Sequence, residues 1–345
     1  MNKYGTAGVG SLNTNIAGSN SVAIGYYSQY YANDAVTAWD NTNTSIGYQS
    51  LHGSLTASNN TGAGNTAVGR DVLFNNSSGA NNTAIGYQSL DNNTIGNYNT
   101  ANGMFSLWSN KAGNNGVAIG YNSQYNANNT ATSWDNTNTS VGYQSLRGSL
   151  TPANNTGTDN TAIGRDAFIS NSSGNNNTAL GFQAGNSNST GSGNVFLGNR
   201  AGYSELGSNK LYISNSSTNP PLIYGDFGIG NVGIGTIAPT ASLDVNGTVK
   251  IGTNGTALTS IIKTTSTTAS LIISPNTTST QLYTVTNAAT GSSVMVSPAS
   301  ALNAGLVIAY SRVSAANTVE VSYRNTTASL IILTSGITLY VTVIQ

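Results

Sequence analysis

The chain has 345 residues, of which only 6% are charged, and its eleven Lys and Arg balance its eleven Asp and Glu. An ordinary globular protein has about 25% charged residues, and a nucleic-acid-binding protein needs a basic surface, so we expect no nucleic-acid partner. The chain has no Cys and a single His, His52. This excludes disulfide scaffolds and Cys- or His-rich metal sites, and we expect neither a metal nor a cofactor.

The N-terminal residues contain no apolar stretch of the secretory type. Elsewhere no apolar stretch approaches the ~18 residues that a membrane-spanning helix requires. The sequence therefore predicts neither a secretory leader nor insertion into a membrane.

A short block centred on a glycine recurs ten times, for example as SVAIGYYSQ and TAIGYQSL. Successive glycines are 22, 22, 17, 17, 17, 22, 22, 17 and 17 residues apart, so a unit of 95 residues is duplicated. Self-similarity at a fixed period is typical of solenoid folds. The repeat glycines are Gly25, Gly47, Gly69, Gly86, Gly103, Gly120, Gly142, Gly164, Gly181 and Gly198.

The residue before the glycine is Ile, Val or Leu in nine blocks, and the residue before that is Ala or Ser in nine. Alternate residues of a strand face opposite sides, and a unit this short buries its apolar residues only by stacking on its neighbours. We therefore predict a stack of coils with the aliphatic residues in its interior. The predicted repeat core consists of Ile24, Ile46, Val68, Ile85, Ile119, Val141, Ile163, Leu180 and Leu197.

The opposite face would then carry the small residues, which permit close approach of another backbone. Few Lys or Glu guard the strand edges. Both features predict that identical chains cover the stack, as in a three-fold bundle. Ten coils at about 4.8 Å each would give a shaft about 45–50 Å long.

The motifs SVAIG at 21–25 and NTAIG at 82–86 resemble the head repeats of trimeric autotransporter adhesins and the β-roll repeats of bacteriophage fibres. The resemblance covers about residues 20–205 and implies an all-β fold whose shaft is a homotrimeric left-handed parallel β-roll. The repeat is longer than in the adhesins, and the sequence has no recognisable leader, coiled-coil stalk or membrane anchor. These departures favour a virion fibre.

Three parts are predicted along the chain: a shaft at 1–208 with a docking segment at about 1–15, a connector at 209–262, and a C-terminal domain at 263–345. Glycine becomes rare beyond residue 250. The motifs VGIG at 232–235 and LDVNG at 243–247 resemble the connector of phage fibres. Within it Gly228, Gly230 and Gly233 match G-x-G-x-x-G, but no helix pattern follows, so we predict turns rather than nucleotide binding.

Short alternating runs separated by turn formers predict an antiparallel β-sandwich at the C-terminus. Segments 291–299, 316–319 and 340–344 resemble a C-terminal domain of phage fibre and head-decoration proteins. The segment 258–264 is compatible with a strand or with a short oligomerising helix. The predicted strands are Ser270–Ser274, Gln281–Asn287, Ser293–Ser297, Leu306–Ser314, Thr318–Arg324 and Ile337–Ile344.

The chain offers little for catalysis, and we expect it not to be an enzyme. His52 corresponds to Arg147 in the second half, so no general base recurs, and we predict that His52 is a solvated loop residue. Adjacent strand residues face opposite ways, so the recurring Arg70-Asp71 is predicted to link neighbouring coils or chains, with contact to a ligand as the alternative. The DNTN run at Asp40 lacks the later ligands of a calcium loop.

The longer inserts between blocks carry aromatic residues beside Asn and Asp. Insertions in a solenoid fall on one face, which is often the binding face, and an aromatic platform with hydrogen-bonding neighbours suits a glycan. The alternative is that these rings only anchor the insert to the shaft. The receptor-binding candidates are Tyr30, Tyr31, Trp39, Asp40, Tyr125, Trp134 and Asp135.

The sequence thus predicts a virion fibre or spike that assembles in the host cytoplasm and attaches the particle to a host-surface glycan or polymer. Its expected partners are two further copies of itself and capsid or tail proteins of the virion. Two alternatives stay open: a head fibre or capsid decoration with a purely structural role, and a trimeric surface adhesin of a bacterium.

Overall fold

The computed structural model describes residues 5–250 and 257–345, and the chain divides into two units between Asn246 and Gly247. The regular elements of the described part are β-strands joined by turns, apart from two short 3-10 helices, η1 at Ala57–Asn59 and η2 at Pro152–Asn154. The first residues of the predicted docking segment, and 251–256 of the predicted connector, lie outside the described residues. No helix in the described ranges has the length and apolar character to cross a membrane.

A sheet of fifteen strands dominates the first unit, and most of its strands are parallel, as in a β-solenoid. Each repeat block supplies one three-residue strand, paired in register with the equivalent strands before and after it. Two further coils, at β1 and β16, extend the predicted ten. The parallel repeat strands are β1 Gly5–Ala7, β3 Val22–Ile24, β5 Thr44–Ile46, β6 Thr66–Val68, β7 Thr83–Ile85, β8 Thr100–Asn102, β10 Val117–Ile119, β12 Thr139–Val141, β13 Thr161–Ile163, β14 Thr178–Leu180, β15 Val195–Leu197 and β16 Lys210–Ile213.

The sheet continues into the predicted connector. Strands β17 (Ile223–Asp226) and β18 (Asn231–Ile234) form an antiparallel hairpin on β16, and β19 (Leu243–Val245) is parallel to β18. Residues 209–246 therefore belong to the repeat unit, which differs from the predicted boundary after residue 208. A turn at 227–230 joins β17 to β18, which confirms the expectation of turns at the glycine motif.

The inserts add two small parallel sheets beside the long one. In the first half β2 (Gly18–Ser19) pairs with β4 (Trp39–Asp40). In the second half β9 (Gly113–Asn114) pairs with β11 (Trp134–Asp135). The duplication seen in the sequence is thus reproduced in the insert structure.

The prediction of which repeat face is interior was wrong. Ala84 is 0% exposed, whereas its neighbour Ile85 is 38% exposed, and the same alternation recurs along the stack. The coil is too narrow for two opposed branched side chains, so small residues line one wall and a Leu from the following turn, such as Leu90, fills the rest. The nine residues of the predicted repeat core instead form an outward-facing column, the aliphatic stripe: Ile24, Ile46, Val68, Ile85, Ile119, Val141, Ile163, Leu180 and Leu197.

Phe196 tests this assignment, because it occupies an interior position that is Ala or Ser in the other repeat blocks. Phe196 is 0% exposed. Gly185 and Gly202 stand where neighbouring coils have Leu or Phe, and a Cβ on either would overlap the ring of Phe196. A large residue on one wall is matched by glycines on the other, so the interior volume of the coil is maintained.

The residues that follow each repeat glycine also form backbone hydrogen bonds to the neighbouring coils. Alternate residues there have positive φ, for example Gln88 at 52° and Leu90 at 52°. The Gln88 N–H donates to the carbonyl of Arg70 in the coil before, at 3.0 Å, and the Leu90 N–H donates to Ser106 in the coil after, at 3.0 Å. This alternation ties each coil to both neighbours.

A column of buried asparagines forms a third link between coils. The Asn82 side-chain Oδ1 accepts from the Asn99 N–H at 2.9 Å and from Asn99 Nδ2 at 3.0 Å. Its Nδ2 donates to Asn65 Oδ1 at 3.0 Å and to the Gly96 carbonyl at 2.9 Å. The pattern repeats in both halves, and the asparagine column consists of Asn43, Asn65, Asn82, Asn99, Asn138, Asn160, Asn177 and Asn194.

The second unit consists of small antiparallel sheets around one buried cluster that includes Tyr323, Leu333 and Val341. The six predicted strands are confirmed with shifts of up to three residues at their ends. Segment 258–264 contains strand rather than helix, and β28 was not predicted. The strands are β20 Val249–Lys250, β21 Ala257–Leu258, β22 Ile261–Thr267, β23 Leu271–Ile273, β24 Thr278–Thr284, β25 Ser293–Pro298, β26 Leu306–Ala315, β27 Thr318–Asn325, β28 Ile331–Leu333 and β29 Thr338–Ile344.

Candidate binding surfaces

A column of mostly aromatic and arginine side chains lies directly after the repeat glycines, next to the aliphatic stripe. We call it the aromatic–arginine ladder. Because each coil contributes one residue at the same position, the side chains stack along the direction of the coils. The ladder consists of Tyr26, Tyr48, Arg70, Tyr87, Met104, Tyr121, Tyr143, Arg165 and Phe182.

Ring and guanidinium stacking holds the ladder together. Tyr26 stacks on Tyr48 with centroids 5.3 Å apart. The Arg70 guanidinium lies 5.3 Å from the Tyr48 ring and 5.7 Å from Tyr87. Arg165 lies 5.6 Å from both Tyr143 and Phe182. A cation over an aromatic face is attracted by the ring quadrupole, so the ladder is ordered while its side chains remain half-buried or exposed.

The arginines of the ladder also pair with their own neighbours, contrary to the sequence prediction. Arg70 Nε lies 3.2 Å from Asp71 Oδ2, and Arg165 Nε lies 3.4 Å from Asp166 Oδ2. Asp71 has φ of 54°, so the chain has left the extended conformation and consecutive side chains no longer face opposite ways. The link is within one coil rather than between coils or chains.

His52 is buried rather than solvated, so its prediction was also wrong. The residue is 7% exposed, and its ring stacks between Phe74 at 4.6 Å and Tyr30 at 5.6 Å. Burial lowers the pKa of His52, which favours the neutral ring. His52 is therefore one layer of an aromatic stack, and its equivalent in the second half, Arg147, replaces a ring with another flat group.

Asp91 is a partly buried carboxyl group whose pKa differs from its usual value. Burial, together with the nearby Asp71, raises the pKa of Asp91 to about 6. The folded chain therefore holds this proton more tightly than the unfolded chain, in which the pKa is about 3.9. The resulting penalty is absent below about pH 4, grows between about pH 4 and pH 6, and is complete above that range.

We expect Asp91→Asn to raise the free energy of unfolding at pH 7 by about 2 kcal/mol, because it removes a desolvated carboxylate. Asparagine already occupies the equivalent position, Asn186, in the second half. Urea unfolding at pH 7 and pH 4 checks this, and most of the gain should vanish at pH 4. The exposed Asp34→Asn is the control, with little change at either pH. An equal gain at both pH values would contradict the assignment.

The receptor-binding candidates of the first insert are partly occupied by internal packing. Tyr30 stacks on His52, and Tyr31 meets the same ring edge-on at 5.0 Å. The Trp39 indole packs on Gly18, where a Cβ would overlap it. Asp40 is exposed and accepts hydrogen bonds from Ser19 Oγ at 3.3 Å and Asn20 Nδ2 at 3.1 Å. The aromatic rings anchor the insert, and Asp40 is left at the surface.

The second insert repeats this arrangement beside a groove. Tyr125 stacks on Trp108 at 5.1 Å. Trp134 packs on Gly113, and with the exposed Asp135 it lines a groove of about 520 Å³. Asp159 and Thr158 line the same groove, and the first half has Gly64 and Ala63 at the equivalent positions. The two inserts are therefore related in backbone but differ in surface chemistry.

Within residues 5–250 and 257–345 no group of three or more His, Asp or Glu side chains is placed to hold a metal ion. The ladder was missed by the sequence analysis, although its signal is the recurrence of Tyr, Phe or Arg directly after the repeat glycine in most blocks. Comparison of this chain with models of protein families, with curated proteins and with solved structures found no match.

Proposed function

We propose that the chain is a subunit of a homotrimeric fibre or spike on the surface of a virus particle, and that it attaches the particle to its host. The observation that carries the proposal is the outer face of the long sheet. The aliphatic stripe and the aromatic–arginine ladder run side by side, and each has a side chain in nine of the ten repeat coils. Large exposed apolar patches mark interaction sites in soluble proteins.

A second and a third copy of the chain are the partners that this face fits best. An identical copy presents the same coil spacing, so side chains of the stripe meet their equivalents at each level of a closed cyclic assembly. The face has few charged groups, and the carboxylates of Asp71 and Asp166 already neutralise two of its arginines. In this proposal the chains contact one another through the aliphatic side of the strands, because the Ala and Ser side chains of the opposite side are already buried inside each coil.

The remaining parts support attachment. The inserts present Asp40 and the groove beside Trp134 and Asp135, which suit a polar, uncharged polymer such as a glycan. For the second unit we propose a two-layer sandwich that serves as a tip or as a registration domain. Capsid or tail proteins of the virion would hold the fibre on the particle. Several weak contacts on one axis reach high avidity without any single strong site.

The test combines mass and adsorption. Light scattering with sedimentation of the purified protein should give roughly 106 kDa, three times 35.2 kDa. The double variant Ile85→Asp, Ile163→Asp places charges in the aliphatic stripe and should shift the mass to that of one chain. The trimer should compete with virus particles for adsorption to host cells, and the variant should compete at least tenfold less well because avidity is lost.

Ser78→Asp and Ser173→Asp together form the control, because both serines are exposed turn residues away from the stripe. The control should keep both the trimer mass and the competition. A monomeric wild-type protein would overturn the assembly. A trimer that does not compete with adsorption would overturn attachment and favour the purely structural fibre.

A further inference from the structure

A pocket lies where the stack of repeat coils ends and the chain turns into the hairpin of β17 and β18. We call it the terminal pocket. Its volume is about 200 Å³, below the range of about 300–1,000 Å³ that is typical of drug-sized ligands. Its walls come from the last coil, from strand β16 and from the loop at 214–221, with Ile237 as an apolar contributor. The size suits one small ring rather than an extended chain.

The charged groups of the terminal pocket balance each other. The Arg200 guanidinium lies between the rings of Phe182 at 5.7 Å and Tyr203 at 5.6 Å, and its Nε donates to Gln183 Oε1 at 2.9 Å. Among the described residues no carboxylate pairs with Arg200, so its terminal amino groups remain available as donors. These groups form a flat fork of donors beside an aromatic ring.

Glu205 brings the opposite charge, held in a fixed position. Its Oε2 accepts from the Tyr212 hydroxyl at 2.6 Å, and its Oε1 accepts from the Gly207 N–H at 2.6 Å. A carboxylate has about four lone-pair sites, so both oxygens can accept a further hydrogen bond. With one cation and one anion in the same pocket, a charged ligand of either sign meets one repulsive group along with one attractive group, so the loss of its hydration is not compensated.

Hydroxyl groups complete the lining. Ser216 Oγ and Thr218 Oγ1 are 2.6 Å apart, and Ser214 Oγ donates to the Ser216 carbonyl at 3.1 Å. These bonds within the loop hold its polar groups in place before any ligand arrives, which reduces the ordering cost of binding. The lining therefore offers donors, acceptors and an aromatic ring, with no net charge.

We infer that the terminal pocket binds one neutral pyranose residue of a polysaccharide. The ring of Tyr203 would face the apolar C–H side of the sugar. The guanidinium of Arg200 and the carboxylate of Glu205 would bind its hydroxyls as donor and acceptor. The inference extends the proposed function and rests on it only for the source of the sugar, a host-surface polysaccharide. The site is separate from the two inserts.

Saturation-transfer NMR and calorimetry on the full chain test the inference, with the methyl glycosides of glucose, galactose, mannose and N-acetylglucosamine as probes. At least one of these should bind. Glucuronate and glucosamine, which carry opposite charges, should each bind several-fold more weakly than their neutral counterparts. Arg200→Gln should weaken the binding of the neutral sugar at least fivefold, because Arg200 is exposed and its loss leaves the fold intact.

Arg324→Gln is the control, since Arg324 is an exposed arginine that lies outside both the terminal pocket and the ladder. Its affinity for the sugar should equal that of the wild type. Binding by none of the four glycosides, equal weakening by both arginine variants, or tighter binding of either charged sugar would each overturn the inference. A trimer that competes for adsorption but binds no glycoside would leave the proposed function standing and remove only this site.

Discussion

Replacing Gly142 by alanine is expected to lower the free energy of unfolding of the repeat unit by at least about 3 kcal/mol. Gly142 has φ of 135°, a conformation that costs other residues about 1–3 kcal/mol. A Cβ there would also lie 2.6 Å from the carbonyl oxygen of Gly164 in the next coil. Parallel hydrogen bonds on both sides hold these coils together, so neither backbone can withdraw.

Gly230→Ala is a control in which a glycine of positive φ lacks the close approach of a neighbouring coil. Gly230 has φ of 74°, but no atom lies within 4 Å of the position that its Cβ would occupy. This variant should lose only about 1–2 kcal/mol, the cost of a left-handed backbone. Urea unfolding followed by circular dichroism measures both variants. Equal losses would show that backbone conformation alone, rather than the close approach of coils, requires glycine in the repeat.

The repeat positions were predictable because spacing and strand length are properties of the chain alone. The direction of the strand faces was not, because alternation divides a three-residue strand into two sides without saying which one is enclosed. Two exceptions in the sequence carried that information. Asn102 interrupts the aliphatic column, as a solvent-facing position allows. The large Phe196 occurs together with glycines at 185 and 202, where neighbouring coils have large side chains.

The candidate surfaces were predictable only in part, for a related physical reason. Trp39 and Trp134 were correctly placed in inserts that pair beside the long sheet, but a sequence does not say which ring face is already covered. The burial of His52 depends on Tyr30 and Phe74, which are 22 residues away on either side. Such stacking depends on which residues of successive coils lie side by side, and only the structure shows that register.

The asparagine column could have been recognised by the same reasoning about register. Asparagine stands four residues before the repeat glycine in eight of the ten blocks. The two exceptions, Ser21 and Gly116, are equivalent positions of the two halves. There Asn41 and Asn136 of the inserts donate instead to Gln29 and Gln124, at 2.9 Å in both cases. The column is therefore interrupted at the same place in each half.

Asn82→Ala is expected to lower the free energy of unfolding by about 3 kcal/mol. Asn82 is fully buried, and its side chain takes part in four hydrogen bonds to the coils on both sides. Its removal leaves the buried N–H of Asn99 without its acceptor. An orphaned buried donor costs about 1–3 kcal/mol, in addition to the net value of the lost bonds.

Asn92→Ala is the matched control in the same coil, because Asn92 is half-buried and its side chain makes one hydrogen bond, to the Trp108 carbonyl at 3.0 Å. This variant should lose only about 1 kcal/mol. Urea unfolding measures both, and hydrogen exchange of the Asn99 amide should accelerate in Asn82→Ala alone. If the two variants lost equal stability, the column would be a consequence of coil stacking and not a cause of it.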